Sequence, residues 1–236
     1  MENTMAQLMS RRNALRVAFG GGAMLLSGCV SPDMMGAVTG GSGKEANWAS
    51  LIKEARDAID LVADQTLNLL TVQKEYATVF KLKDLAAKLQ STINSRKTGN
   101  VNNVSFVKSA DKLTKTAQKA ISKEIGKKAA LSAQQKRVLA NGLAKHQKSI
   151  EKAWVGGIKM AKVLIDAQSA QKPSFKDMEA VNYMREIVSD IPMAIKFLKT
   201  SKSTYESYAK AFEYEAKVPL PAARRTMKLA PMSMGT

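Results

Sequence analysis

Cysteine and histidine each occur once in these 236 residues, as Cys29 and His146. A single thiol cannot close an internal disulfide, so the fold must stand on packing. A metal site needs several ligands, and one His with one Cys does not supply them. No Glu-x-x-His pair of the di-iron bundle type is present. The Gly-x-Ser-x-Gly nucleophile motif and the Gly-rich phosphate loops are also missing. No stretch alternates as a half-buried strand does, and no repeat of fixed period appears. Between Trp48 and Arg96 there is neither Gly nor Pro. Nothing in the chain assembles a nucleophile with a base, and it reads as non-catalytic and without a cofactor.

What the chain has is helical periodicity. Trp48, Leu51, Ile52, Ala55, Ile59 and Val62 recur at three and four, and Leu69, Val72, Tyr76, Val79, Leu82, Leu85, Leu89 and Ile93 continue the line. As one helix this segment spans ~73 Å; a break within it is the alternative. Thr98-Gly99-Asn100 is its stop. A second helix is expected over about 104–128, capped by Asn103 or Ser105, and a third from about Ser132 to Gln171. Ser174-Phe175-Lys176-Asp177 reads as a capping box for a fourth that runs through Pro192, with a kink or restart there, to about Lys217. The expected fold is all-α: an up-and-down bundle of four long antiparallel helices, five if the first breaks. It occupies residues 46–217. Residues 29–45 are a Gly/Ser linker, and 218–236 a Pro-rich basic tail without periodicity.

The N-terminus is built differently. Arg11, Arg12 and Arg16 precede an apolar run of about ten residues, and small residues follow it. Crossing a bilayer as a helix takes roughly 20 apolar residues, so the run is an export signal and no anchor helix. Leu26-Ser27-Gly28-Cys29 resembles a bacterial lipobox. The resemblance covers residues 1–29 and implies that Cys29 carries covalent lipid after residues 1–28 are removed. Ser10-Arg11-Arg12-Asn13-Ala14-Leu15 also resembles a twin-arginine signal, with Ala14 where that pattern has a large apolar residue. Ordinary signals carry twin arginines too, so both export routes stay open. Several acyl chains, each buried CH₂ contributing ~0.8 kcal/mol, would anchor the protein permanently. Val30-Ser31 lacks the Asp that often marks inner-membrane retention in such lipoproteins. The resemblance therefore implies the periplasmic side of the outer membrane.

Residues 1–28 hold three Arg and one Glu, so the remainder keeps 34 basic and 19 acidic residues, a net charge of +15. Such a charge favours anionic partners. For an exported protein those are phospholipid head groups, lipopolysaccharide, cell-wall polymer or acidic proteins, and not nucleic acid. Lys108, Lys112, Lys115, Lys119, Lys123 and Lys127 fall on one helix face within an arc of about 120°. That stripe is a candidate anionic surface, against the plainer reading of a solvated face. The leading expectation is a helical scaffold or accessory factor that binds another envelope protein; binding of anionic envelope components through the stripe is the alternative.

Four further groupings have a structural reading beside a functional one. Ala153, Gly156, Gly157 and Ala161 suit close helix packing, or a groove for an acyl chain or partner helix. His146 is expected to be a partly buried or boundary residue. Glu54, Asp57, Asp60 and Asp64 form an acidic ridge expected to pair with lysines or face solvent, with Ca²⁺ as the alternative. Tyr205, Tyr208, Phe212 and Tyr214 fit a bundle end or an interface, the first three sharing a face and Tyr214 pointing elsewhere.

Overall fold

A computed structural model of the protein describes residues 47–127 and 130–220. The signal with Arg11, Arg12, Leu26, Ser27 and Gly28, then Cys29, the linker and most of the tail lie outside the described residues. Five helices follow one another: α1 Trp48–Val79, α2 Lys83–Lys97, α3 Asn103–Gly126, α4 Ala133–Ser169 and α5 Met178–Tyr214. No strand occurs among the described residues. The all-α bundle is thus the fold, and it takes the five-helix form.

The long first helix breaks after Val79, at a place that neither Gly nor Pro marks. Lys81 takes a left-handed conformation with φ of 58°. The Leu82 amide donates to the Ala77 carbonyl at 2.8 Å and the Lys81 amide to Thr78 at 3.1 Å, which is a Schellman turn. A non-Gly residue there costs about 1–2 kcal/mol. The return recovers more than that. It folds Leu89 and Ile93 back into the core, and each such side chain contributes roughly 1.5–3 kcal/mol on burial. A straight continuation would have left both beyond the end of the bundle.

The other boundaries follow local chemistry. Asn102, and neither Asn103 nor Ser105, caps α3, accepting from the Ser105 amide at 2.8 Å. Ser132 and Gln135 form the capping box, at the start of α4. At α5 the cap is Asp177, which accepts from the Ala180 amide at 3.0 Å, and Ser174 instead accepts from Lys176 within the preceding turn. The helix continues through Pro192 without a restart. After α5 the chain bends at Lys217, φ 50°. Val218 is buried and Leu220 packs on the core, so packing reaches slightly past residue 217.

Helix α1 touches all four others and is the axis of the bundle. Cross-helix bonds give the directions. Asn68 meets Ser149, and Glu75 meets Lys145, so α1 and α4 are antiparallel. Arg56 meets Glu186, and Gln73 meets Tyr208, so α1 and α5 are parallel. Asn103 bonds Asp60, and Gln118 bonds Ser207, so α3 runs parallel to both. Chain neighbours alternate up and down, α2 and α4 being the return legs, while α1, α3 and α5 share one direction.

Small residues set the α1–α4 approach. Ala153, Gly156, Gly157 and Ala161 are all buried. A Cβ on Gly156 would stand 3.1 Å from the Ala58 carbonyl oxygen. The small-residue line therefore serves packing inside the bundle.

Candidate functional site

All six stripe lysines, Lys108, Lys112, Lys115, Lys119, Lys123 and Lys127, are exposed along α3. The opposite face of that helix buries Phe106, Val107, Ala110, Thr114, Ala117, Ile121 and Ile125. Two of the six spend charge locally. Lys115 pairs with Asp111 at 2.6 Å, and Lys127 with Glu124 at 2.7 Å. Lys108 lies within electrostatic reach of Asp190 on α5, whose carboxyl is raised by burial and by Glu186 and held back by the Ser189 hydroxyl and, to a smaller extent, by Lys108. Lys112, Lys119 and Lys123 make no ion pair among the described residues.

Lys112 borders a shallow groove between α2 and α3. Lys88, Ser91 and Thr92 line it from α2, and Ser109, Lys112, Leu113 and Thr116 from α3. No acidic residue lines it. Thr92, Ser109 and Thr116 donate their hydroxyl hydrogens to carbonyls of their own helices, which leaves their oxygens to accept from a ligand. Two lysines and four hydroxyl side chains in one lining suit an acidic, hydroxylated ligand. Sequence reasoning found Lys112 and missed Lys88. The fold-back at Lys81 brings Lys88 beside the stripe, and no local signal announces that turn.

His146 is neither partly buried nor a boundary residue. It is fully buried, with Nε2 3.0 Å from Ser201 Oγ, and Ser201 is fully buried as well. Gln65 donates to the same hydroxyl. The distance resembles that of a nucleophile and its base, but the surroundings do not supply the chemistry. No carboxylate meets Nδ1, which has no protein partner. Burial lowers the imidazole pKa from 6.5 to about 3, because a charged ring would be stranded in an apolar interior. An imidazole so weakly basic is a poor general base near neutrality.

The His146–Ser201–Gln65 cluster is one rung of a polar ladder inside the core. Tyr205 donates to Gln147 Oε1 at 3.2 Å. Gln73 donates to the Thr114 carbonyl at 3.1 Å and to Tyr208 at 3.2 Å. Tyr76 donates to the Leu139 carbonyl at 3.0 Å. Its hydroxyl proton and that of Tyr208 are held more tightly than usual by burial. Each rung joins two or three helices, so these groups fix register. Sequence periodicity could not find them, since Gln and Thr at core positions read as breaks in an apolar line.

The remaining groupings resolve as follows. Tyr205, Tyr208 and Phe212 are buried, and Tyr76 meets Tyr208 and Phe212 edge-on at 5.4 and 5.2 Å; Tyr214 is exposed. Glu54, Asp57, Asp60 and Asp64 are exposed. Asp60 accepts from Asn103, and no ion pair involves the ridge among the described residues. No group of three metal-ligating side chains occurs among the described residues, and no described helix is long and apolar enough to cross a membrane. Comparison with known proteins finds no family model, no curated protein and no solved structure that matches the chain.

Proposed function

We propose that this chain is a lipid-anchored envelope lipoprotein, held through Cys29 on the periplasmic side of the outer membrane. Its bundle acts without catalysis, as a scaffold or accessory factor for another envelope protein. The anchor rests on the lipobox resemblance at Leu26-Ser27-Gly28-Cys29, and the observation that supports a non-catalytic bundle is the sealing of His146. The one imidazole and the hydroxyl beside it are both buried, and the ring's basicity is suppressed. The polar interior is spent on helix register, and exchange with other molecules is left to the outer faces. Crosslinking in cells with the lipidated protein tests the reading. It expects one protein neighbour captured at stoichiometric yield; no such neighbour would remove its support. The mass of the processed protein tests lipidation directly, since loss of residues 1–28 and addition of acyl chains are expected together.

A second reading has its own observation, the α2–α3 groove lined by Lys88, Lys112 and hydroxyl side chains with no acidic residue. In it the bundle binds anionic envelope components: phospholipid head groups, lipopolysaccharide or cell-wall polymer. Exposed charge is screened by salt, so binding to phosphatidylglycerol vesicles or lipopolysaccharide should fade as salt rises. Lys112, Lys115 and Lys119 replaced together by Glu should abolish it with helicity unchanged. Unaltered binding would dismiss the stripe.

A further inference from the structure

The connection from α4 to α5 has an ordered apex that points away from the core. The Asp177 amide donates to the Ser174 carbonyl at 2.8 Å, closing a turn with Phe175 and Lys176 as its central residues. Phe175 is 69 % exposed and Met178, the first residue of α5, 58 %. Lys172 and Lys176 flank them and are exposed. Asp177 and Glu179 stand nearby, Asp177 as the helix cap and Glu179 accepting from Tyr183, so two lysines and two carboxylates share the apex. An aromatic ring and a thioether held at the apex of a closed turn serve no packing inside the bundle.

The position of this apex in the bundle matters. Because α4 runs against α1, its C-terminus lies at the Trp48 end, and because α5 runs with α1, its N-terminus lies there too. The turn at 174–177 therefore sits at the end where the chain enters the bundle at Asn47. Seventeen residues separate Cys29 from Asn47, a chain length that spans at most about 60 Å. That reach lets this end of the bundle touch the surface in which an anchor on Cys29 would sit.

We propose that the 174–177 apex is a second membrane contact, in which Phe175 and Met178 enter the interfacial region of a phospholipid bilayer. Lys172 and Lys176 extend past them to the head-group phosphates. The proposal rests on the lipid-anchored reading for its biological setting. It fixes the orientation of the bundle: upright on the anchored end, with the α2–α3 groove displayed sideways.

The test uses the processed chain, residues 29–236, carrying Cys29→Ser, which removes the one native thiol, with Phe175→Cys labelled by an environment-sensitive fluorophore. A control places the label at Gln134→Cys, exposed at the start of α4 at the opposite end. With phosphatidylcholine vesicles containing phosphatidylglycerol, the expected result is a blue shift at 175 and none at 134. Phe175→Glu in the unlabelled Cys29→Ser chain should lower vesicle co-sedimentation several-fold with helicity unchanged. Co-sedimentation without a shift at 175 would overturn the proposal, because the bound face would then be elsewhere, and so would equal shifts at both labels. Lipidation plays no part in these readings. Failure of the anchor would appear in the processed mass, and failure of the apex in the fluorescence.

Discussion

The Cβ that Gly142 lacks would stand 2.6 Å from Cε1 of the Tyr76 ring. Tyr76 cannot move aside. Tyr208 and Phe212 pack against it edge-on, and its hydroxyl donates to the Leu139 carbonyl. Gly142→Ala gains up to ~1 kcal/mol of helix propensity but must displace a ring with no free space beside it, and overpacking typically costs 1–3 kcal/mol. The substitution is therefore expected to destabilise by up to about 2 kcal/mol. Urea unfolding checks this; a midpoint at or above that of the parent would show that the ring can shift.

Lys81 offers the opposite sign. Its left-handed backbone is strained for a residue with a Cβ, and Gly relieves that strain while giving back some unfolded-state entropy. Lys81→Gly should raise stability by roughly 0.5–1 kcal/mol, whereas Lys81→Ala, which keeps the Cβ, should leave it near the parent. Thermal melts of the three proteins separate strain from loss of a surface charge.

His146 should make stability depend on pH in acid. In the unfolded chain the imidazole titrates near its ordinary 6.5, and in the fold near about 3. Between those values the unfolded state binds the extra proton. Stability therefore falls as pH drops below 6.5, by roughly 1.4 kcal/mol per unit on the steep part, and is flat with respect to this group above 6.5. Denaturation between pH 4.5 and 7 is the measurement. His146→Gln lacks the titrating group, and its slope over that window should be shallower by about one proton.

Arg56 and Glu186 join α1 to α5 through two bonds, of 2.7 and 2.8 Å. The arginine side chain is more than half exposed, so solvent screens the pair. A double-mutant cycle with Arg56→Ala and Glu186→Ala should give a coupling of about 0.3–1 kcal/mol that shrinks in high salt. A salt-independent coupling of twice that size would contradict the exposure of the pair.

Much of the bundle is legible in the chain because helical burial repeats every three to four residues. Ile52, Ala55, Ile59, Val62, Leu69, Val72 and Tyr76 declare the inner face of α1, and the aromatic trio of α5 declares its own. The six stripe lysines are exposed for the same reason: they stand opposite Phe106, Ala117 and Ile121. Such features depend only on spacing along one helix, and spacing is written in the sequence.

What the tertiary structure decided involves two helices at once. The break at Lys81 exists because Leu89 and Ile93 find α1 to pack on, which no residue beside the turn records. Lys88 joins Lys112 only after that fold-back. The burial of His146 depends on Ser201 and Gln65 from two other helices, and the need for Gly at 142 depends on a ring 66 residues earlier in the chain. A residue's own helix fixes which way it points; what it meets there is set by partners distant in sequence, and contact energies between them are absent from any local pattern.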